Sequence, residues 1–235
     1  MHQKLFSITQ SLRFPSICTL CNQFHKNRLA VCDFCISLLE PLGTACQHCA
    51  HPLPDDLYLV CGQCIKNPPH FDRTISAYKF VDPIRGLLHQ FKYHNGLFLG
   101  AFFSELILNA YYKSPIRPQC LIPVPMHPKR LRLRGFNQAA ILTQLIARTL
   151  KLPYDLTSCQ KKVNTTPQAS LDGEQRQKNL RKTFYIKPLP YDHVAVIDDL
   201  LTTGSTANEL AVTLKNSGIK RVDIWCCARA TGKNY

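Results

Sequence analysis

Apolar residues follow two rhythms along this chain, and the alternation between them outlines an architecture. From about residue 71 onward, extended apolar runs alternate with stretches of helical period. Phe71–Phe80 (FDRTISAYKF) reads as an extended segment, and Pro83–Tyr93 (PIRGLLHQFKY) as a helix opened by proline in its first turn. Gly100–Tyr112 predicts a largely buried helix, Cys120–Val124 (CLIPV) a short strand and Asn137–Leu150 a helix built from good helix formers. Val194–Ile197 is apolar without alternation, as expected of a parallel strand covered on both faces. Thr206–Asn216 predicts a helix with Gly218 placed to end it, and Arg221–Ala228 the next strand. This order implies an α/β fold with an open parallel sheet, in which ligands bind at the carboxyl ends of strands.

Before residue 71 the periodicity gives way to cysteine. Four Cys-x-x-Cys pairs, Cys18/Cys21, Cys32/Cys35, Cys46/Cys49 and Cys61/Cys64, recur within fifty residues. Each pair can form a knuckle offering two thiolates, and two knuckles complete a tetrahedral site suited to Zn2+. Spacing alone does not separate sequential from cross-braced pairing. Sequential pairing closes shorter loops and is favoured on chain entropy, giving Cys18, Cys21, Cys32 and Cys35 for one zinc and Cys46, Cys49, Cys61 and Cys64 for the other. Both zincs read as structural, because four thiolates leave no open position and so little apolar sequence needs metal to fold. His48 and His51 read as surface residues, and Cys120, Cys159, Cys226 and Cys227 as buried small hydrophobes. Prolines in Lys66–Phe71 (KNPPHF) mark a boundary between a module spanning 1–70 and a body spanning 71–235.

Met1–Pro15 has scattered apolar residues, which suits a short packed helix better than a signal peptide. No apolar run is long enough to span a bilayer, so an integral membrane protein is not expected. Many cysteines without an export signal point to a cytoplasmic location. The formal charge of +14 falls mainly in the body: residues 1–70 carry five Lys/Arg against four Asp/Glu, and residues 71–235 carry twenty-four against eleven. Such a body suits polyanionic partners. Gln160–Lys187, with seven basic and two acidic residues, reads as a mobile polar stretch and a candidate lid.

The most informative stretch is Val194–Leu210, VAVIDDLLTTGSTANEL. A strand runs into Asp198 and Asp199, then into Thr202, Thr203, Gly204, Ser205 and Thr206 at a helix start. Backbone N–H groups and the helix dipole there favour a phosphate, hydroxyls add donors, and Gly204 permits close approach. Carboxylates beside a phosphate make sense if they accept from sugar hydroxyls or help hold a divalent cation. A sugar phosphate satisfies both halves; the bland alternative is a βα turn with capping side chains. In Pro123–Ala139 (PVPMHPKRLRLRGFNQA), two prolines set an abrupt turn at a strand end. Lys129, Arg130, Arg132 and Arg134 follow. They can bind pyrophosphate oxygens or nucleic-acid phosphates, or form a solvated basic loop. Phe136, Phe184 and Tyr185 can stack on bases, although core packing is the simpler role.

Val194–Thr206 resembles the signature of type I phosphoribosyltransferases. The resemblance implies that Asp198 and Asp199 contact the ribose hydroxyls of phosphoribosyl pyrophosphate (PRPP), that Thr202–Thr206 hold its 5-phosphate, and that the loop at Val124, Pro125 and Met126 contacts pyrophosphate. Mg2+ would enter with PRPP. Pro123–Ala139 further resembles the ComF family of competence proteins and its GntX-like relatives. So does the pattern of Thr165, Gln168, Arg176, Asn179 and Phe184, and the cysteine knuckles are similar to that family's double zinc ribbon. Lys161-Lys162 depart from it, standing where an arginine is expected, which keeps charge but loses bidentate geometry. Two functions are therefore expected. One is a competence factor that binds single-stranded DNA and works with the DNA-uptake machinery, with PRPP or a related sugar phosphate in its site. The other is a phosphoribosyltransferase, with Asp198 and Asp199 as catalytic electrostatics, acting on an acceptor that the sequence does not identify.

Overall fold

The computed structural model describes residues 16–93, 96–113, 115–162 and 183–231. The expected helix in Met1–Pro15 lies outside the described residues, as do Thr165, Gln168, Arg176, Asn179 and most of the expected lid. The chain divides into two compact units after Leu39. Within the first, β1 (Ser16–Ile17) and β2 (Phe24–His25) pair antiparallel, and helix α1 (Asp33–Ser37) follows.

The two cysteine ribbons are built alike. The first knuckle of each folds back through one left-handed residue, Asn22 (φ 58°) or Ala50 (φ 53°). The amide of that residue donates to the carbonyl of Cys18 (2.9 Å) or Cys46 (2.8 Å). The second knuckle of each opens a short helix, α1 or α2 (Gly62–Lys66). Ile36 and Ile65 there donate to the carbonyls of Cys32 and Cys61.

The second ribbon lies in the unit that begins at Glu40, together with the sheet. Strands β3 (Arg73–Lys79), β8 (Arg221–Arg229), β7 (His193–Leu201) and β4 (Cys120–Pro123) stand in that spatial order, all parallel. The outer edge of β3 is covered: Thr74 N–H donates to Gln47 O at 3.0 Å, and Leu42 N–H to Ala77 O at 3.2 Å. An open strand edge is thereby closed by the ribbon.

Among the described residues, five α-helices punctuate the body: α3 (Ile84–Tyr93), α4 (Gly100–Tyr112), α5 (Pro128–Arg134), α6 (Gln138–Leu150) and α7 (Ser205–Asn216). Helices α4 and α6 pack together, α4 over β3 and β8, α6 over β4 and β7. The Tyr111 ring of α4 lies 4.8 Å from that of Trp225 on β8. On the opposite face, Leu210, Ala211 and Leu214 of α7 pack into a core with Val194, Val196, Val222 and Ile224. Both faces are covered, which explains why β7 and β8 lack alternation. A separate antiparallel ribbon, β5 (Cys159–Lys161) with β6 (Phe184–Ile186), flanks this core. The architecture of this unit is an open parallel α/β sheet with a four-cysteine ribbon along one edge.

Two details differ from the sequence reading. Strand β7 does not stop at Ile197 but runs to Leu201, because β8 supplies ladder partners out to Arg229. The basic segment forms a helix, α5, rather than a loop. His127 Nδ1 accepts from Lys129 N–H at 3.2 Å, Pro128 opens the first turn, and Gly135 (φ 84°) closes the last.

Candidate functional site

The carboxyl ends of β4 and β7 diverge. After β4 the chain turns through α5 to α6 on one face of the sheet; after β7 it turns to α7 on the other. A crevice opens between neighbouring parallel strands whose connections leave in opposite directions. Here it is a cleft of about 370 Å³ lined by Asp198, Asp199, Thr202 and Thr206 from the β7 side and Val124, Pro125, Met126, Arg130 and Arg134 from the β4 side. Two segments some seventy residues apart in the sequence thus face one cavity. Thr203, Gly204 and Ser205 form the loop between Thr202 and Thr206. Lys129 and Arg132 are exposed on α5 and are not part of the cleft lining.

The β4 side is fixed by its backbone. Val124 N–H donates to Ile197 O at 2.9 Å, and Val124 O accepts from Asn137 Nδ2 at 3.1 Å. Asn137 also caps α6, its Oδ1 accepting from Ala139 N–H at 3.0 Å. One side chain therefore ties the proline loop to the helix behind it. On the β7 side, Thr203 Oγ1 lies 2.9 Å from Ser205 Oγ and accepts from Ser205 N–H at 3.3 Å. Gly204 has φ 79°, the left-handed region that disfavours any side chain. Gly204 has no side chain to cap α7, and the Thr203 hydroxyl accepts from Ser205 at the start of the helix.

The acid pair is electrostatically loaded. Burial, and then the neighbouring Asp199 carboxylate, push the Asp198 carboxyl well above the usual range. Asp198 Oδ1 accepts from Asp199 N–H at 2.8 Å. Lys92 Nζ, from the last turn of α3, lies 2.6 Å from Asp199 Oδ2. Burial disfavours the Lys92 charge, but Asp199 and Asp198 together outweigh it and hold the ammonium above its ordinary value. Arg134 stacks over the Tyr93 ring at 4.8 Å and donates to Gln138 Oε1 at 3.0 Å. Lys161, from β5, also lines the cleft, its pKa lowered by burial and then by Arg130. Four cations thus face two carboxylates, an arrangement suited to a polyanion that also carries hydroxyls.

Lys92, Gln138 and Lys161 were not singled out as site residues from sequence. Lys92 is one polar position on an amphipathic helix, and only the fold brings it to Asp199. Gln138 is 3% exposed, and its carboxamide nitrogen has no partner among the described residues, leaving a donor at the cleft wall. Phe184 is core, whereas Tyr185 is 42% exposed with Lys162 Nζ 4.3 Å from its ring centroid.

The cysteines gather as Cys18, Cys21, Cys32, Cys35 and as Cys46, Cys49, Cys61, Cys64, with all sulfurs of a set within 4.8 Å of one another. Cys21 and Cys32 sulfurs are 3.8 Å apart, and those of Cys49 and Cys61 are 3.6 Å apart. A tetrahedron with Zn–S bonds of about 2.3 Å has edges of about 3.8 Å. Burial raises the Cys18 thiol, but backbone N–H groups of Cys21, Cys32 and Leu20 reverse this and bring it down to about 6. Burial and neighbouring sulfurs push Cys35 up to about 12. Sulfurs that cannot share negative charge among themselves fit a cation at their centre. These are two structural zinc sites.

Competence protein F of Haemophilus influenzae is 30% identical over 217 residues, covering 88% of this chain and 93% of that protein. The chain belongs to the competence protein F family. Residues 10–65 match the double zinc ribbon domain family. The chain is also similar to the DNA utilization protein YhgH of Escherichia coli K12, 29% identical over 93% of this chain and 99% of that protein. Competence protein ComFC of Bacillus subtilis is 25% identical over 80% of this chain and 79% of its own. Among solved structures, the glutamine PRPP amidotransferase of B. subtilis aligns at a TM-score of 0.40 and 14% identity, covering 57% of this chain and 29% of that one. No described helix is long and apolar enough to cross a membrane.

Proposed function

We propose that the cleft between β4 and β7 binds PRPP or a related sugar phosphate, and that the protein uses this site while handling single-stranded DNA in natural transformation. The observation that carries the reading is the convergence of an acid pair, a small-residue loop at a helix start and two arginines on one cavity. Thr202–Thr206 hold the 5-phosphate through backbone N–H groups and hydroxyls. Asp198 and Asp199 accept from the ribose hydroxyls. Val124, Pro125 and Met126, with Arg130 and Arg134 above them, receive the pyrophosphate. Mg2+ accompanies the ligand; the oxygen donors of the acid pair suit such a hard cation. Lys129, Arg130, Arg132 and Arg134 on α5 contact DNA phosphates. The homologues named for competence and for DNA utilization support this role, and a cytoplasmic site of action follows from it.

A second reading has its own observation. A cleft of about 600 Å³, lined by Pro123, Leu131, Leu156 and Gln160 among others, shares Pro125, Met126, His127, Asn137 and Lys161 with the first. It could receive an acceptor. An acceptor nucleophile would then bond to the anomeric carbon of PRPP as the bond to pyrophosphate breaks, with pre-positioned charge stabilising the separation.

One experiment separates the readings. Purified protein is mixed with labelled single-stranded oligonucleotide at two salt concentrations, with and without PRPP, and pyrophosphate release is followed. Steep salt dependence without pyrophosphate supports the DNA-handling role; acceptor-dependent pyrophosphate release supports the transferase. Absence of both DNA binding and PRPP effects would sink the proposal.

A further inference from the structure

Arg229, the last residue of β8, is only 9% exposed. It forms no ion pair among the described residues. Its guanidinium donates to main-chain carbonyls: Nε to Cys49 O at 2.8 Å, and Nη1 to Leu201 O at 3.1 Å, to Thr202 O and to Ala230 O at 2.5 Å. A buried cation is costly unless its donors are taken up, and these carbonyls take up Nε and Nη1.

The carbonyls belong to two places of different character. Cys49 is one of the four sulfur residues of the second ribbon. Leu201 and Thr202 are the step from β7 into the small-residue loop. A single planar fork spans both, and its rigidity fixes one against the other in a way a lysine could not reproduce. The frame around it is tied as well: Leu201 pairs with Arg229 across the β7–β8 ladder, Ala230 N–H donates to Leu201 O at 3.0 Å, and Phe80 N–H donates to Arg229 O at 2.9 Å. Cys49 itself packs on the core beneath α7.

We propose that Arg229 is a positioning residue that couples the Cys46–Cys64 zinc knuckle to the sugar-phosphate loop, so that metal and ligand each stabilise the other's site. The ligand half of this statement rests on the PRPP reading above; the Arg229 link to the knuckle does not. Coupling between two sites is reciprocal, so it is readable from the zinc side.

The test is site-resolved thiol alkylation of the zinc-loaded, full-length protein in the presence of a chelator, with each cysteine peptide quantified by mass spectrometry. In the parent, saturating Mg2+ and PRPP should slow alkylation of Cys46, Cys49, Cys61 and Cys64. Without ligand, Arg229→Met should speed alkylation of that set by roughly tenfold, the scale of one lost charge-assisted hydrogen bond. The variant should also lose the ligand effect. Cys18, Cys21, Cys32 and Cys35 lie in the other compact unit and should keep the parent rate, which separates a local link from general loosening. Arg229→Lys retains the charge and one point of donation and serves if the methionine variant does not fold; it should behave as the weaker of the two defects. If PRPP binds by calorimetry but leaves alkylation of the second set unchanged, the coupling is overturned. If the parent binds no PRPP, the functional reading fails, and the ligand-free comparison still decides the link: a rate within about twofold of the parent for the folded variant overturns it.

Discussion

Asp198 is held in the folded chain at a higher pKa than in the unfolded one, by burial and by Asp199. Between the two values the folded protein binds more protons than the unfolded, so stability falls as pH rises through that window. Asp198→Asn removes this penalty. Denaturant unfolding should show the variant equal to the parent at low pH, below the unfolded carboxyl value, and more stable than it above. The same change deletes a charged acceptor for a ribose hydroxyl, at a cost of about 1.5–3 kcal/mol, or roughly ten- to a hundred-fold in PRPP affinity. Stability gained with binding lost is the signature of a strained site; a variant less stable than the parent at neutral pH would contradict it. Gly204 poses the opposite case. A Cβ there would meet Leu201 and Phe71 at 3.9 Å, ordinary contact, so the cost of Gly204→Val in the free protein comes from φ 79°. The variant should fold with a loss of roughly 1–2 kcal/mol in denaturant unfolding yet fail to bind any sugar phosphate. The acid pair and the loop were legible because their chemistry is local in sequence. Lys92 and Arg229 were not, since a lone lysine on an amphipathic helix and an arginine ending an apolar strand carry no signal until strands 3, 7 and 8 stand side by side.

At the scale of elements, α5 divides its cations between the cleft, which Arg130 and Arg134 line, and the outer surface, which carries Lys129 and Arg132. None of its residues is buried, and Leu133 is 89% exposed, so charge reversal on its outer side should not unfold it. Arg134 is engaged with Tyr93 and Gln138, and Arg130 lines the cleft, so reversing either would alter the cleft as well as the charge of α5. Lys129→Glu with Arg132→Glu is the cleaner pair. Fluorescence anisotropy should show weaker single-stranded DNA binding with a salt slope flattened by about 1.4, near 0.7 per lost phosphate contact. PRPP affinity should remain close to the parent's; unchanged DNA affinity and slope would remove α5 from the interface. Alternation of strand and helix predicted most of the body correctly because each element buries a face of recognisable period. What periodicity missed was short or non-local. Helix α5 is seven residues without a buried face, and β7 extends past two aspartates because β8, not propensity, pairs Asp198, Leu200 and Leu201.

For the whole molecule, zinc content is the simplest check. Protein purified without added metal should contain two zincs per chain by elemental analysis; a single zinc would contradict the paired four-cysteine sets. Composition places a change of character near residue 70, while contacts divide the chain after Leu39 and leave the second ribbon with the sheet edge it covers. Cys46→Ser should therefore lower the thermal transition of the sheet-bearing unit as well as open its own ribbon, whereas Cys18→Ser should act within the first unit. The cleft at the ends of β4 and β7 is where ligand binding is decided. Isothermal titration of the parent, Asp198→Asn and Gly204→Val with PRPP and with ribose 5-phosphate, each with and without Mg2+, addresses it directly. The parent should bind PRPP most tightly with Mg2+. Asp198→Asn should bind both ligands weakly, and folded Gly204→Val neither. A folded parent that binds neither ligand, or variants that bind both as the parent does, would reduce the loop to an ordinary turn between strand and helix.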